Sequence, residues 1–276
     1  MLAAPLNENL SDLIDKHGLQ EYKERIFAMA KDTFVVQTQK SLSDFGLNSR
    51  GGGLPSLPPG ANWPRNKEGE PLSFICQFNL TEISHDFDID LLPKTGMLSF
   101  FVDTEDYVWG WESDNLLSWR VYFSEDEKLC EPIPFPDDMP DYLRTEPKDI
   151  TLLHSFCLPD RYDLNCLDQE VARHDGYFKL LWDIATFKSR LMGYPGIQLE
   201  EDVVMEFCKS LLEANSSAAS QTGEKQALDW TMLFQLDTES DIGFECLGST
   251  LYFLIRKEHL EASDFSEVYL LVQTST

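Results

Sequence analysis

The chain alternates between stretches with helical spacing and short apolar runs bounded by turn formers. Near the start, "NENLSDLIDKHG" predicts a helix capped by Ser11 and stopped by Gly18. "LQEYKERIFAMAKD" then sets Leu19, Tyr22, Ile26 and Met29 at helical spacing, and "TFVVQTQ" (33–39) predicts a short strand. Residues 43–71 form a Gly/Pro-rich passage with little regular structure. Three strands are predicted next, at 72–80, 96–103 and 118–125, each rich in β-branched or aromatic residues. The five prolines between Pro132 and Pro147 read as a connector.

In the second half, "YFKLLWDIATFKSRLMGYPG" places Phe178, Leu181, Ala185 and Met192 on a helical stripe that Gly193 and Pro195 would end. "EEDVVMEFCKSLLEA" sets Val203, Val204, Phe207 and Leu211 on one helical face, with acids in its first turn. Residues 215–226 read as a polar loop, and three more strands are expected at 230–238, 249–257 and 267–274. The halves match: "ICQFNL" with "LFQLDT", "GMLSFFVD" with "GSTLYFLI", and "WRVYFS" with "VYLLVQ". The predicted class is α+β, mostly antiparallel sheets from an internal duplication of a three-strand unit, with flanking helices. The pseudo-repeats run over about 45–130 and 190–276, joined by the Pro-rich connector and a helix, within one compact domain over 1–276.

Alternation puts Ile75, Gln77 and Asn79 on one face of their strand, opposite Phe74, Cys76 and Phe78. In the second unit Leu233, Gln235 and Asp237 oppose Met232, Phe234 and Leu236. A buried amide costs free energy unless partners are supplied, so each Gln-x-Asn/Asp has a job. In one reading the side chains pin the neighbouring Gly/Pro segments through their backbone. In the other, the two pairs converge on a cleft between the halves.

"GGGLPSLPPGANWP" (51–64) raises the question of a phosphate cradle. Such a loop needs free backbone N–H groups and a following helix, and the prolines remove donors and forbid the helix. A rigid bend ending in a core-filling Trp63 is the expectation.

Charge changes the picture most. The chain of 276 residues has 48 acidic and 22 basic residues, a net −26. From Glu82 to Asp141 there are 16 acidic residues against three basic ones (Lys94, Arg120, Lys128), a net −13. Such a field repels nucleic acid and anionic lipid and attracts basic partners. With no apolar run near the ~20 residues of a membrane span, and no signal-peptide pattern at the start, the expectation is a soluble, cytoplasmic protein. The six scattered cysteines form no C-x-x-C pair and read as free thiols.

Asp86, Asp88 and Asp90 open like an EF-hand, but Leu91 and Met97 occupy the positions that need Gly and Glu. The five histidines show no zinc spacing, and a Cys157 nucleophile with His154 or His174 has only sequence proximity behind it. No metal or cofactor is expected, and the balance leans away from an enzyme. "VDTEDYVWGWESDNLLSW" is more suggestive: Tyr107, Trp109, Trp111 and Trp119 interleave with Asp103, Glu105, Asp106, Glu112 and Asp114. Aromatic anchors in an acidic field suit a basic protein partner, while a hairpin with inward tryptophans and solvating acids remains the alternative.

"GGGLPSLPPGANWP…GEPLSFICQFNL…LPKTGMLSFFVD", the pair Trp109-Gly110, and "RLMGYPGIQ…MLFQLDT…LYFLIRKEHLEASDFSEVYLLVQ" together resemble the YwqG-like family, over roughly residues 45–275. The resemblance implies a mostly bacterial protein of mixed α and β fold. The family usually has Tyr where Trp109 stands, and a shorter passage at 215–226. It has no established activity, so no catalytic residue carries over. Some members are encoded beside secreted toxin systems, which implies an immunity or accessory role. The leading expectation is an interaction module for a basic partner. The alternative is a small-ligand binder or enzyme using an inter-repeat cleft with Gln77, Asn79, Gln235 and Asp237.

Overall fold

The structure, a computed structural model, describes residues 4–104, 117–160, 163, 167–184, 188–196, 203–204, 207, 229–237, 242 and 249–274. Its strands are β1 (Lys31–Lys40), β2 (Arg50–Gly51), β3 (Ser56–Leu57), β4 (Ser73–Asn79), β5 (Met97–Val102), β6 (Trp119–Ser124), β7 (Glu131–Pro132), β8 (Lys148–Cys157), β9 (Arg190–Leu191), β10 (Trp230–Asp237), β11 (Ser249–Arg256) and β12 (Tyr269–Thr274). Ten of them form one sheet in the order β12-β11-β10-β9-β1-β8-β2-β4-β5-β6, while β3 and β7 pair separately. Every pairing is antiparallel. The protein is therefore a mixed helix-and-strand fold dominated by one large antiparallel sheet.

The centre of the sheet is the ribbon β1–β8, paired in register from Lys31↔Cys157 to Lys40↔Lys148. A three-stranded meander lies on each side, each joined to the ribbon by a two-residue strand, β2 or β9. The sheet curls until the meanders face one another across a single apolar core. Phe100 lies 4.8 Å from Phe253 and 5.1 Å from Phe234, ring to ring, and Phe78 lies 5.3 Å from Phe234. Trp119, opening the edge strand β6, donates from Nε1 to Val268 O beside the other edge (2.8 Å). The sheet is thus nearly a barrel, which hides most of its edge.

Each meander opens with a β-bulge, at Phe74/Cys76 and at Met232/Phe234. A bulge inserts one residue and resets the alternation beyond it. Ile75 therefore joins Cys76 and Phe78 in the shared core, and Leu233 joins Phe234 and Leu236. Phe74 and Met232 turn instead to outer clusters. The strict alternation expected from sequence is corrected at these four positions.

Helices cover the outer faces. The first, α1 (Ala4–Lys16), starts well before Ser11, whose hydroxyl sits mid-helix and accepts from Lys23 Nζ (2.7 Å). Leu10 and Ile14, one turn apart, set its buried stripe, and Gly18 (φ 71°) ends it as expected. The helix Asp175–Asp183 buries Tyr177, Leu180 and Leu181 against Leu10, Ile14 and Leu158. Of the expected stripe, Leu181 is buried, whereas Phe178 is exposed with Tyr177 buried beside it, and Met192 belongs to the turn after β9. Val203 and Phe207 are buried against Trp230 and Met232 as an i, i+4 pair, while Ala185 and Leu211 lie outside the described residues. Trp63 fills an outer cluster with Phe74 and Phe101, its Nε1 donating to Leu72 O (2.7 Å). The glycine run is a bend: Gly52 N–H donates to Ile75 O (3.1 Å) and Gly53 N–H to Thr145 O (3.0 Å), so these donors serve the fold.

Candidate functional site

On the outer face of β4, Gln77 is fully buried within an apolar strand. Its Nε2 donates to Gly46 O (2.9 Å) and Asn48 O (3.0 Å), and its Oε1 accepts from Ser56 N (2.8 Å). Asn79 donates to Leu47 O (2.8 Å), while its Oδ1 caps the helix Leu80–Asp86 by accepting from Thr81 N and Glu82 N. Arg50, opposite Gln77 in register, donates from Nη2 to Ser43 O (3.2 Å). Ser43 Oγ donates to Phe45 O, Leu54 N to Asp44 O, Ser56 Oγ to Gly46 O, and Ile150 N to Ser49 O. Every backbone carbonyl from Ser43 to Ser49 therefore accepts a hydrogen bond. An irregular loop is held as firmly as a strand.

The second half uses the same arrangement. Arg190 stands opposite Gln235 in register, and Gln235 Oε1 accepts from Gly196 N (2.8 Å) and from Arg190 Nη2 (3.3 Å). Asp237 ends β10, its N–H donating to Ser189 Oγ (2.9 Å). The six-residue spacing from arginine to the N–H that the glutamine accepts is shared: Arg50 to Ser56, Arg190 to Gly196. So are the glycines at positive φ, Gly53 (68°) and Gly193 (97°), each two residues before a proline. Sequence reasoning missed both arginines. The repeated pattern Arg-x-x-Gly-x-Pro-small, in "RGGGLPS" and "RLMGYPG", was the signal that could have found them.

Arg50 is 1% exposed, and its Nε and Nη1 lack a hydrogen-bond partner. Burial draws its pKa down, and Asp149 and Asp44 oppose that shift; Asp149 Oδ1 lies 3.9 Å from Nη2. An arginine stays charged even so. Glu82 accepts from Ser49 N (3.2 Å), and loss of hydration raises its pKa, with Asp149 and Glu127 adding to the effect.

The polar pairs thus lie on the face turned away from the shared core, and the side chains that meet between the meanders are phenylalanines. Of the hairpin residues, Tyr107, Trp109, Trp111, Glu105, Asp106, Glu112 and Asp114 lie outside the described residues. Asp103 is buried at the base of that segment. Its N–H donates to Ser118 O (2.7 Å), and its Oδ2 accepts from Asn66 Nδ2 (2.9 Å). Ten acids between Glu82 and Asp141 are exposed: Glu82, Asp86, Asp88, Asp90, Glu125, Asp126, Glu131, Asp137, Asp138 and Asp141.

Cys157 is buried and accepts from Tyr194 N (3.2 Å); burial pushes its thiol up, the wrong direction for a nucleophile. His154 instead pairs with Asp32 (2.7 Å) and stacks on Phe34. Among the described residues no three His, Cys, Asp or Glu side chains are placed to hold a metal ion. Cys76, Cys130 and Cys157 are all buried free thiols, so a thiol reagent at pH 8 is expected to leave them unmodified in the native protein. Peptide mapping before and after denaturation reads this out; rapid native labelling of Cys157 would contradict the burial.

No helix among the described residues is long and apolar enough to cross a membrane. No curated protein matches the chain. A family model, DUF1963, described as a domain of unknown function, matches residues 49–273, from β2 through nearly all of β12. With most of its length inside that match, the chain belongs to the DUF1963 family, a domain of unknown function.

Proposed function

We propose that this protein is an interaction module that binds a basic protein partner through its acid-rich surface. The observation that carries the reading is the exposure of ten acids between Glu82 and Asp141, in a chain of net −26. A surface field of this sign raises the encounter rate with cations and disfavours phosphate backbones. In this reading the hairpin around Tyr107, Trp109 and Trp111, with Glu105, Asp106, Glu112 and Asp114, adds aromatic anchors to the same surface, while the buried Asp103, bonded to Asn66, belongs to the fold and not to that surface. The finer assignment is to a YwqG-like protein acting in the cytoplasm, in an immunity or accessory role beside a basic toxin. Its single domain would be a fusion of two copies, about 45–130 and 190–276. The shared Arg-Gln register, the paired bulges and the common Arg-x-x-Gly-x-Pro turn support that origin.

A variant carrying Asp86→Asn, Asp90→Asn, Glu125→Gln and Asp137→Asn tests the reading. Among the described residues none of these four exposed carboxylates makes a hydrogen bond or ion pair, so stability should hold. Retention of basic proteins on the immobilised chain at low salt is expected to fall about tenfold, as does retention of the native chain when salt is raised. Identical recovery from both chains at both salts would overturn it.

A further inference from the structure

We propose that His174 is an acid-sensitive cap, which holds the start of the helix Asp175–Asp183 when neutral and releases it when protonated. The hydrogen bond behind it has a fixed direction: the backbone N–H of Gly176 donates to His174 Nδ1 (3.1 Å). A main-chain N–H can only donate, so that ring nitrogen must keep its lone pair. The imidazolium carries a donor on each nitrogen and accepts with neither. It also brings a positive charge to the end of the helix where the dipole is already positive. Histidine is the side chain that ordinarily changes charge between about pH 5 and 8. A cap that needs the neutral ring stabilises the helix at neutral pH and is lost on acidification.

The other end of the same helix answers acid in the opposite sense. Asp183 accepts there from Lys16 Nζ (2.6 Å) and His17 Nε2 (2.7 Å), which hold its carboxyl below the usual carboxylate range. A proton on His17 adds charge to that pair. His154 and His259 likewise sit against carboxylates, Asp32 and Asp264. His174 differs, because among the described residues no carboxylate bonds its ring, which packs edge-on with Tyr22 (5.7 Å, ring to ring). The charged groups on the elements about it are Arg173 and Asp175 beside it, Asp168 and Glu170 at the short helix Gln169–Ala172, Glu21 and Arg25 flanking Tyr22, and Lys16 and His17 ending α1. Arg25 already takes up Asp168 (2.6 Å) and Glu170 (2.8 Å).

Packing turns loss of the cap into movement. A Cβ on Gly176 would lie 2.3 Å from His17 O and 2.9 Å from His174 Nδ1, so the helix start is seated directly on the end of α1. With the cap gone and the far end tightened, the first turn lifts while the last stays clamped at Asp183. Tyr177, buried in that first turn in one cluster with Leu10 and Ile14, moves with it.

The test is amide exchange by NMR on the native chain and on His174→Asn, which keeps an accepting side chain that acid does not charge. Corrected for intrinsic rates, exchange at Gly176 and Tyr177 is expected to rise about tenfold from about pH 7.5 to about pH 5.5 in the native chain and to stay within about twofold in His174→Asn. Exchange in β10–β12 should hold steady in both. The Nδ1 resonance of His174 in the native chain should move together with the Gly176 amide over the same range, a readout that needs no variant. Unchanged exchange in the native chain, an equal acceleration in His174→Asn, or acceleration while Nδ1 stays unprotonated would each overturn the cap. None of these readouts involves a partner, so the cap and the basic-partner reading stand or fall separately.

Discussion

Gln77→Leu is expected to destabilise the protein by about 3–5 kcal/mol and lower its Tm by roughly 8–15 °C. Leucine matches the glutamine in size and suits an apolar strand, so packing alone would predict a mild effect. The cost comes from what is left behind. Ser56 N–H loses the Oε1 acceptor and Asn48 O loses the Nε2 donor, while Gly46 O keeps only Ser56 Oγ. Each buried group left unpaired costs about 1–3 kcal/mol, and the loop they hold becomes free to open. Hydrogen exchange should therefore accelerate in residues 41–56 and remain slow in β10–β12. Gln77→Glu, which keeps an acceptor but loses both donors and buries a charge, should be no milder at neutral pH. Unchanged exchange and a Tm loss under about 3 °C would mean that Arg50 and Asn79 suffice to hold the loop.

Much of the sheet was legible because six strands are short apolar runs between turn formers, and such runs report their burial locally. The β8 strand was not, because "KDITLLHSFC" mixes exposed and buried positions and follows a proline-rich passage. Its strand character comes from ten residues of pairing with β1, a partner more than a hundred residues away. The bulges failed for a similar reason: one extra residue in β4 or β10 moves Ile75 or Leu233 to the core without changing the local pattern. Gln77 and Gln235 could be singled out as costly polar residues in apolar strands, but not what they bond. That depends on which loop the fold lays across them. Arg50 and Arg190 escaped notice because an arginine beside glycines reads as exposed until a buried glutamine is seen opposite it. The firm seating of Phe45 was hidden inside a passage read only as irregular, where the sequence carries no signal for a backbone pinned from below.

Gly52→Ala is expected to cost about as much as Gln77→Leu, and comparison with Gly60→Ala separates its two causes. Both glycines have positive φ, 62° at Gly52 and 81° at Gly60, so an alanine at either carries a backbone penalty of about 1–2 kcal/mol. At Gly60 nothing lies within 4 Å of the added Cβ, and the penalty ends there, with a Tm loss of a few degrees. At Gly52 the Cβ would sit 2.5 Å from Glu146 O and 2.7 Å from Thr145 Oγ1. Backbone does not yield as a flexible side chain can, so the turn must move. Moving it pulls Gly52 N–H from Ile75 O and Gly53 N–H from Thr145 O, and with them the segment that presents Ser56 to Gln77. A total of about 3–5 kcal/mol follows, read as a Tm loss of roughly 8–15 °C by calorimetry. Equal and small losses at the two sites would show that residues 145–147 shift at little cost. The glycine run would then answer only to φ, and the loop above β4 would be less firmly seated than its hydrogen bonds imply.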